Sequence, residues 1–292
     1  MTTQNLARNA LYSQAVADAV GNPFEFGDPS HTAVHDYMHS SETLHITDDT
    51  QMAMFGMEAL ILSAPSKFQD IHDQLKMAYL RWYSTQRNTH PAAGDTGLLA
   101  ELTMYRVEAP GNTCLDALEA LRVGSEVCND SKGCGCVMRL LPFALMQSRM
   151  PLDSLQSAAA YSGAITHQHA EVEEAVRVYM TAALEILQHR ALVAIPEALR
   201  SAKHITDFGT GWTALSCVQM AMWAVYHAKS FDELLTLSIC HDGDSDSVAA
   251  VAGSLWGLSG RTGWEKYQAR LEQQPAIERL MARLGDLCAT AT

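Results

Sequence analysis

Basic residues are scarce in this sequence: 20 Lys and Arg stand against 33 Asp and Glu, a formal net charge of −13 over 292 residues. Binding to a phosphate backbone runs on Lys and Arg, so this balance argues against nucleic acid as the main partner. Long apolar runs are missing too. No stretch approaches the roughly eighteen consecutive apolar residues of a membrane-spanning helix, and no membrane association is expected. The segment from Met1 to Ala19 is polar and amphipathic, without the apolar centre of a signal peptide. The 7 cysteines are an odd number without paired metal-ligand spacing, which argues against a disulfide framework and fits a reducing cytoplasm. No Pro/Gly/Ser-rich linker or block of like charge divides the chain, so one domain over residues 1–292 is expected.

Period-two alternation is also absent, whereas helical spacing is plentiful. Apolar residues recur at that spacing in Met52, Phe55, Ala59 and Leu62, in Val172, Val176, Tyr179, Ala183 and Leu187, and in Leu215, Val218, Met222 and Val225. Prolines from Pro23 to Pro275 cut the chain into pieces of helix-hairpin length. These patterns predict about a dozen helices in a compact, single-domain, all-α orthogonal helical bundle. The methionines Met52, Met54 and Met57 read as core filler.

The most informative stretch is His241-Asp242-Gly243-Asp244-Ser245-Asp246-Ser247, which runs into the small apolar series Val248 to Leu255. That series predicts a helix buried all round, with acids and hydroxyls at its N-terminus. Carboxylates that converge on a turn entering a helix repel one another unless a cation joins them. Oxygen-only donors favour a hard ion such as Mg²⁺, Mn²⁺ or Ca²⁺ over zinc. An EF-hand begun at Asp242 is excluded, because Ser247 and Gly253 stand where that loop needs Gly and Glu. A haloacid-dehalogenase phosphatase wants an apolar strand leading directly into its first Asp, and none does so here. An ordinary capping cluster is the plain alternative.

Two further acidic stretches weigh against that alternative. Ile46-Thr47-Asp48-Asp49-Thr50-Gln51 opens a second apolar helix, with Thr47 as a plausible cap and both acids in the first turn. Two such helix mouths, far apart in sequence, are what a two-metal carboxylate site needs, one flank from each. Asp18 falls in the last turn of an apolar helix ending near Gly21, where its charge opposes the helix dipole and asks for a hydrogen-bonded or functional reason. Glu25 lies between Phe24 and Phe26, a setting that raises a carboxyl pKa as a general acid or base requires.

The set of motifs resembles the ADP-ribosylglycohydrolase family, of the dinitrogenase-reductase-activating type. The resemblance rests on Asp18/Gly21/Glu25, Thr47-Asp48-Asp49-Thr50, and Gly243 to Ser247 followed by Ala249-Ala250-Val251-Ala252-Gly253. It extends through Gly94-Asp95-Thr96-Gly97, Ser131 to Arg139 with Pro142, Thr166 to His169, and Gly211-Trp212, in the family's order over nearly the whole length.

The resemblance implies an all-α fold with a binuclear Mg²⁺ or Mn²⁺ cleft that removes ADP-ribose from a modified side chain, most often arginine. By position it implies Thr47, Asp48, Asp49, Asp244, Asp246 and Ser247 as metal ligands, Glu25 as the acid/base residue, and Asp95 beside the distal ribose or departing group. Ser247 stands where many members have Thr and keeps the hydroxyl oxygen. Gly94 and Gly97 flank Asp95. Ser131, Gly133, Cys134 and Gly135 would form a loop whose amides approach a diphosphate, and Trp212 would stack near the adenosine. The partner would be an ADP-ribosylated protein or ADP-ribose itself. A binding protein that occludes an ADP-ribosyltransferase toxin, and a hydrolase of serine-linked or small-molecule ADP-ribose, are the alternatives.

Other residues divide between roles. Cys134 and Cys136 are too close for a zinc knuckle and read as loop filler. His167 contacts substrate or, like His169, helps cap the helix from Ala170, and His241 is a possible donor behind the acids. Arg81, Arg87, Lys132 and Arg139 are candidates for phosphate, with Arg139 equally able to tie loops together. Leu215 and Ser216 replace acidic residues common in the family. The segment Pro29 to Thr43, with His31, His35 and His39, is placed to form a lid.

Overall fold

The computed structural model describes residues 3–289, and among them the regular elements are all helices, without strands. The α-helices are α1 (Thr3–Gly21), α2 (His31–Ser40), α3 (Asp48–Ser63), α4 (Ile71–Arg87), α5 (Asn112–Arg122), α6 (Leu141–Leu145), α7 (Leu152–Ala164), α8 (Ala170–His189), α9 (Glu197–Ser201), α10 (Ala214–His227), α11 (Phe231–Ile239), α12 (Ser245–Leu258) and α13 (Gln274–Ala289). Two isolated bridges, Leu44 with Leu271 and Gly133 with Thr213, are the only β-type pairings among the described residues.

The antiparallel pair of α1 and α12 forms the centre. Its close approach is written in glycines. A Cβ on Gly253 would stand 2.4 Å from the Ser13 carbonyl oxygen, and one on Gly257 would stand 2.4 Å from Ala10 Cα. Gly21 serves the same purpose rather than that of a left-handed C-cap. Its backbone is right-handed, at φ −70° and ψ −37°, and an added Cβ would fall 2.7 Å from Asp246 Cα. Every residue of α12 is buried, because α1, α8, α10 and α11 surround it.

Helix α3 is likewise enclosed, packing on α4, α6 and α13, so its apolar residues are buried on all sides rather than along one stripe. Leu62, placed by its spacing on the buried stripe, is instead 47% exposed in the last turn of α3. Helix α8 is amphipathic, burying Val172, Val176, Tyr179, Ala183 and Leu187. One continuous apolar cluster joins these elements. The arrangement brings the C-terminal end of α1 to the N-termini of α3 and α12, and there the acidic residues gather.

Candidate active site

Helix α12 begins at a capped turn. The Asp244 carboxylate accepts from the backbone N–H of Ser247 at 3.3 Å, and Asp246 accepts from the same N–H at 3.0 Å. The turn itself requires glycine. Gly243 has φ +152°, and a Cβ there would lie 2.0 Å from the Thr210 carbonyl oxygen.

Helix α3 begins at Thr47, whose hydroxyl accepts from Asp49 N–H at 3.3 Å. The same hydroxyl donates to Asp18 at 2.8 Å, and Asp18 also accepts from the N–H groups of Thr47 and Thr50 at 3.1 Å. That network accounts for an acid in the last turn of α1: it caps a different helix, whose free N–H groups welcome negative charge. The tertiary structure supplies a partner that α1 by itself lacks.

A cleft of about 290 Å³ opens over these two helix mouths. Glu25, Asp48, Asp49, Asp244, Asp246 and Ser247 line its floor, with Gly133, Cys134, Gly135, His167 and Trp212 on its walls. Carboxylate oxygens of Glu25, Asp244 and Asp246 lie within 4.8 Å of one another. None of the lining residues is Lys or Arg. Burial, and then Asp246, Asp48 and Asp18 nearby, raise Glu25 to about 8. Asp18 rises to about 7, through burial and then Asp246. Asp48, Asp49 and Asp244 are held well above the usual carboxylate range, chiefly by burial, and Asp246 is raised by the same cause. The Oδ2 atom of Asp49 and the hydroxyl of Thr50 are buried without a hydrogen-bond partner.

Several expected site residues lie elsewhere or in unexpected roles. Thr47 sits beneath the cleft floor, and Ser131 stands behind the wall, within 3.1 Å of the Thr113 hydroxyl. Gly94, Asp95 and Gly97 are absent from the cleft lining. Asp95 lines a separate pocket with Arg87 and His90, accepting from Ala92 N–H at 2.7 Å and from the Tyr105 hydroxyl at 3.3 Å. Gly97 makes room for Glu58, whose Oε1 would be 2.0 Å from an added Cβ. Cys134 is more than filler, because its thiol donates to Asp244 at 2.6 Å. His169 caps α8, accepting from Glu171 N–H at 3.0 Å, and His241 is turned to the Ser238 carbonyl at 3.0 Å.

The basic residues are engaged within the fold. Arg139 is fully buried and ties loops, donating to the Ser162 carbonyl and to Thr166. Lys132 pairs with Glu171 at 3.5 Å, Arg81 pairs with Glu58 at 3.1 Å, and the Arg87 guanidinium lies 5.9 Å from the Tyr83 ring. Helix α2 packs on α1 and α11; its three histidines are exposed and none lines the cleft.

Sequence reasoning missed the segment from Ala109 to Cys114. Ala109, Gly111, Asn112, Thr113 and Cys114 all line the cleft, and Gly111 N–H donates to Asp48 at 3.2 Å. The only signal was a turn at Pro110-Gly111-Asn112. Ala109 has φ +45°, and Phe26, stacked on Trp212 with ring centroids 5.0 Å apart, has φ +65°. Both are non-glycine residues in the left-handed region, beside the acids, where strained backbone tends to collect. Ser216, in the first turn of α10, accepts from Gly211 N–H at 3.1 Å, holding the turn that presents Trp212.

An all-helical fold gathers buried carboxylates at two helix mouths, and the family and relative it matches make it a glycosidic-bond hydrolase. The chain belongs to the ADP-ribosylglycohydrolase family, whose model matches residues 1–291. It is 24% identical to an uncharacterised protein of Archaeoglobus fulgidus, covering 96% of each chain. It is also 24% identical to the ADP-ribosylarginine hydrolase Tri1 of Pseudomonas putida, over 95% of this chain and 81% of that one. Among solved structures, a chain of an ADP-ribosylglycohydrolase-related protein complex shares the fold, with a TM-score of 0.64, 23% identity and 98% of both chains covered. No described helix is long and apolar enough to cross a membrane.

Proposed function

We propose that this cleft hydrolyses the N-glycosidic bond between ADP-ribose and an arginine side chain of a modified protein, in the presence of two divalent ions, Mg²⁺ or Mn²⁺. The observation that carries the reading is the convergence of Glu25, Asp244 and Asp246 within 4.8 Å, with Asp48 and Asp49 in the same cleft and no basic residue lining it. Such crowding is costly for the protein alone and favourable around cations. Arginine is favoured by the activity of the P. putida relative. The six described cysteines are free, as a reducing cytoplasm keeps them.

The donor set fits hard divalent ions. Asp48, Asp49, Asp244 and Asp246 offer carboxylate oxygens, the Ser247 hydroxyl lines the cleft, and Asp49 Oδ2 has no partner within the protein. The Thr47 hydroxyl, which donates to Asp18 and accepts once, keeps a lone pair for the same purpose. When bound, the ions supply Lewis acidity toward sugar hydroxyls and lower the pKa of water.

The chain's own residues do the rest. Glu25, raised to about 8 in the metal-free cleft by burial and by its acidic neighbours, is the carboxyl placed to deliver a proton to the departing nitrogen and then to accept one from the attacking water. The surrounding carboxylates stabilise positive charge developing on the ribose ring. The amide of Gly135 and the His167 imidazole stand on the wall as neutral donors for phosphate oxygens, beside Gly133, whose N–H donates to the Ser131 hydroxyl at 3.4 Å. Trp212 and Phe26 offer stacked faces at the cleft's edge.

The test is release of free ADP-ribose from an arginine-modified protein, with Mg²⁺, with Mn²⁺ and with chelator, beside a serine-modified protein. Metal-dependent release from the arginine-modified protein is expected. Release from the serine-modified protein alone would move the assignment to that linkage. Binding of ADP-ribose without release from either would mark a protein that acts by occlusion, for example of an ADP-ribosyltransferase.

A further inference from the structure

Behind the cleft wall lies a chain of polar groups buried in the core. Arg139 is fully buried, its guanidinium 4.5 Å from the Tyr79 ring centroid. Its Nη2 donates to the Ser162 carbonyl at 2.5 Å and to the Thr166 hydroxyl at 2.7 Å. That hydroxyl lies 2.8 Å from His167 Nδ1. His167 is 3% exposed and lines the cleft. Its Nε2 faces the glycine loop, where a Cβ on Gly133 would be 3.2 Å away and one on Gly135 would be 3.4 Å away.

We infer that Arg139 and Thr166 are positioning residues that lock His167 into the neutral Nε2–H tautomer, making it a fixed donor to an anionic phosphate oxygen held at the Gly133–Gly135 loop. The identity of that ligand rests on the function proposed above; the tautomer lock does not.

The lock follows from donor and acceptor arithmetic. A guanidinium donates and never accepts, so Thr166 must accept from Arg139 and place its own hydrogen elsewhere. Two atoms are candidates for that hydrogen: His167 Nδ1, and the Cys114 sulfur, which already accepts from Arg139 Nη1 at 3.8 Å. An imidazole nitrogen is the stronger acceptor. With Nδ1 accepting, the ring proton sits on Nε2, directed at the cleft. The opposite tautomer would give Thr166 two donors and leave its hydrogen only a thiol. Burial, and then the Arg139 charge, push His167 down to about 3, so the ring stays neutral at physiological pH. The cleft's lining has no Lys or Arg, so a neutral N–H such as this is the kind of donor its wall offers an anion. The glycines opposite Nε2 leave that hydrogen open to a ligand.

The experiment uses the full chain, long-range ¹H–¹⁵N spectra of the imidazoles with His167→Phe to assign the signal, and calorimetry with ADP-ribose as the probe. In the ligand-free protein the His167 signal should be that of the Nε2–H tautomer, unchanged from pH 5 to 9. Thr166→Val should mix the tautomers and weaken ADP-ribose binding about tenfold, the scale of one hydrogen bond to a charged group. Thr166→Ser should restore both. In the His167→Phe background, Thr166→Val should cost no further affinity, whereas a purely structural Thr166 would cost the same in either background. An Nδ1–H signal, titration of His167 near pH 6.5, or additive losses would overturn the lock. If the wild type bound no ADP-ribose, the proposed function would fall, and the tautomer signals would still decide the lock.

Discussion

Helix α3 carries buried acids at two places, and they have opposite surroundings. Glu58, 2% exposed, sits between Arg81 at 3.1 Å and Arg283 at 2.6 Å and accepts from Leu98 N–H at 3.1 Å. Asp48 and Asp49, at the helix start, face Asp18, Asp246 and Asp244 in a cleft with no basic lining residue. Buried charge is retained where it is paired, and Glu58 is paired inside the fold. The acids at the N-terminus have no such counter-charge among the residues that line the cleft. Burial alone therefore does not separate a structural acid from a functional one; the company it keeps does.

Substitutions at the two places should move activity and stability in opposite senses. Asp246→Asn is expected to reduce ADP-ribose release about a thousandfold and to abolish Mn²⁺ binding by calorimetry, while raising the melting temperature of the metal-free protein by relieving repulsion. A lower melting temperature in chelator would place Asp246 with Glu58. Glu25→Gln should reduce turnover about a hundredfold or more with the fold intact by circular dichroism. Retention of full turnover would remove Glu25 from proton transfer.

At the other place, Glu58→Gln leaves Arg81 and Arg283 without a counter-charge and should cost about 2 kcal/mol in urea unfolding, with turnover per folded molecule unchanged. The smallest effect is a pH slope. Groups whose folded pKa exceeds the unfolded value bind more protons when folded, so their contribution falls as pH rises from about 4 through the folded value. For Asp18 and Glu25 the folded values are about 7 and about 8. In chelator the melting temperature should drop by several degrees between pH 5.5 and 8.5. With saturating Mn²⁺ the slope should reverse, because ions bind the deprotonated carboxylates. The same slope in both conditions would mean the cluster holds no ions.

The helices and both acidic mouths were legible because local pattern sets them: small apolar residues after Asp246, a hydroxyl and two acids before Met52. The glycine loop and Trp212 could be brought to the same wall only through resemblance, since nothing local ties Gly133 to Thr213. The segment from Ala109 to Cys114 escaped notice because its part is a backbone N–H offered to Asp48, and backbone donors have no residue signature. Asp95 was read as a neighbour of the departing group, and its carboxylate is taken up by Ala92 N–H and Tyr105 in another pocket.

By itself the sequence determined an all-helical chain, its two acid-capped buried helices and, through the ordered motifs, its family. Those are properties of periodicity, capping and residue order, which short stretches carry. Only the tertiary structure decided that Asp18 caps a helix not its own, that Arg139 anchors the cleft wall rather than a phosphate, and that Glu58 is neutralised while Asp48 and Asp49 are not. Each depends on which groups from distant segments come within hydrogen-bonding or Coulombic reach, and that distance is set by packing.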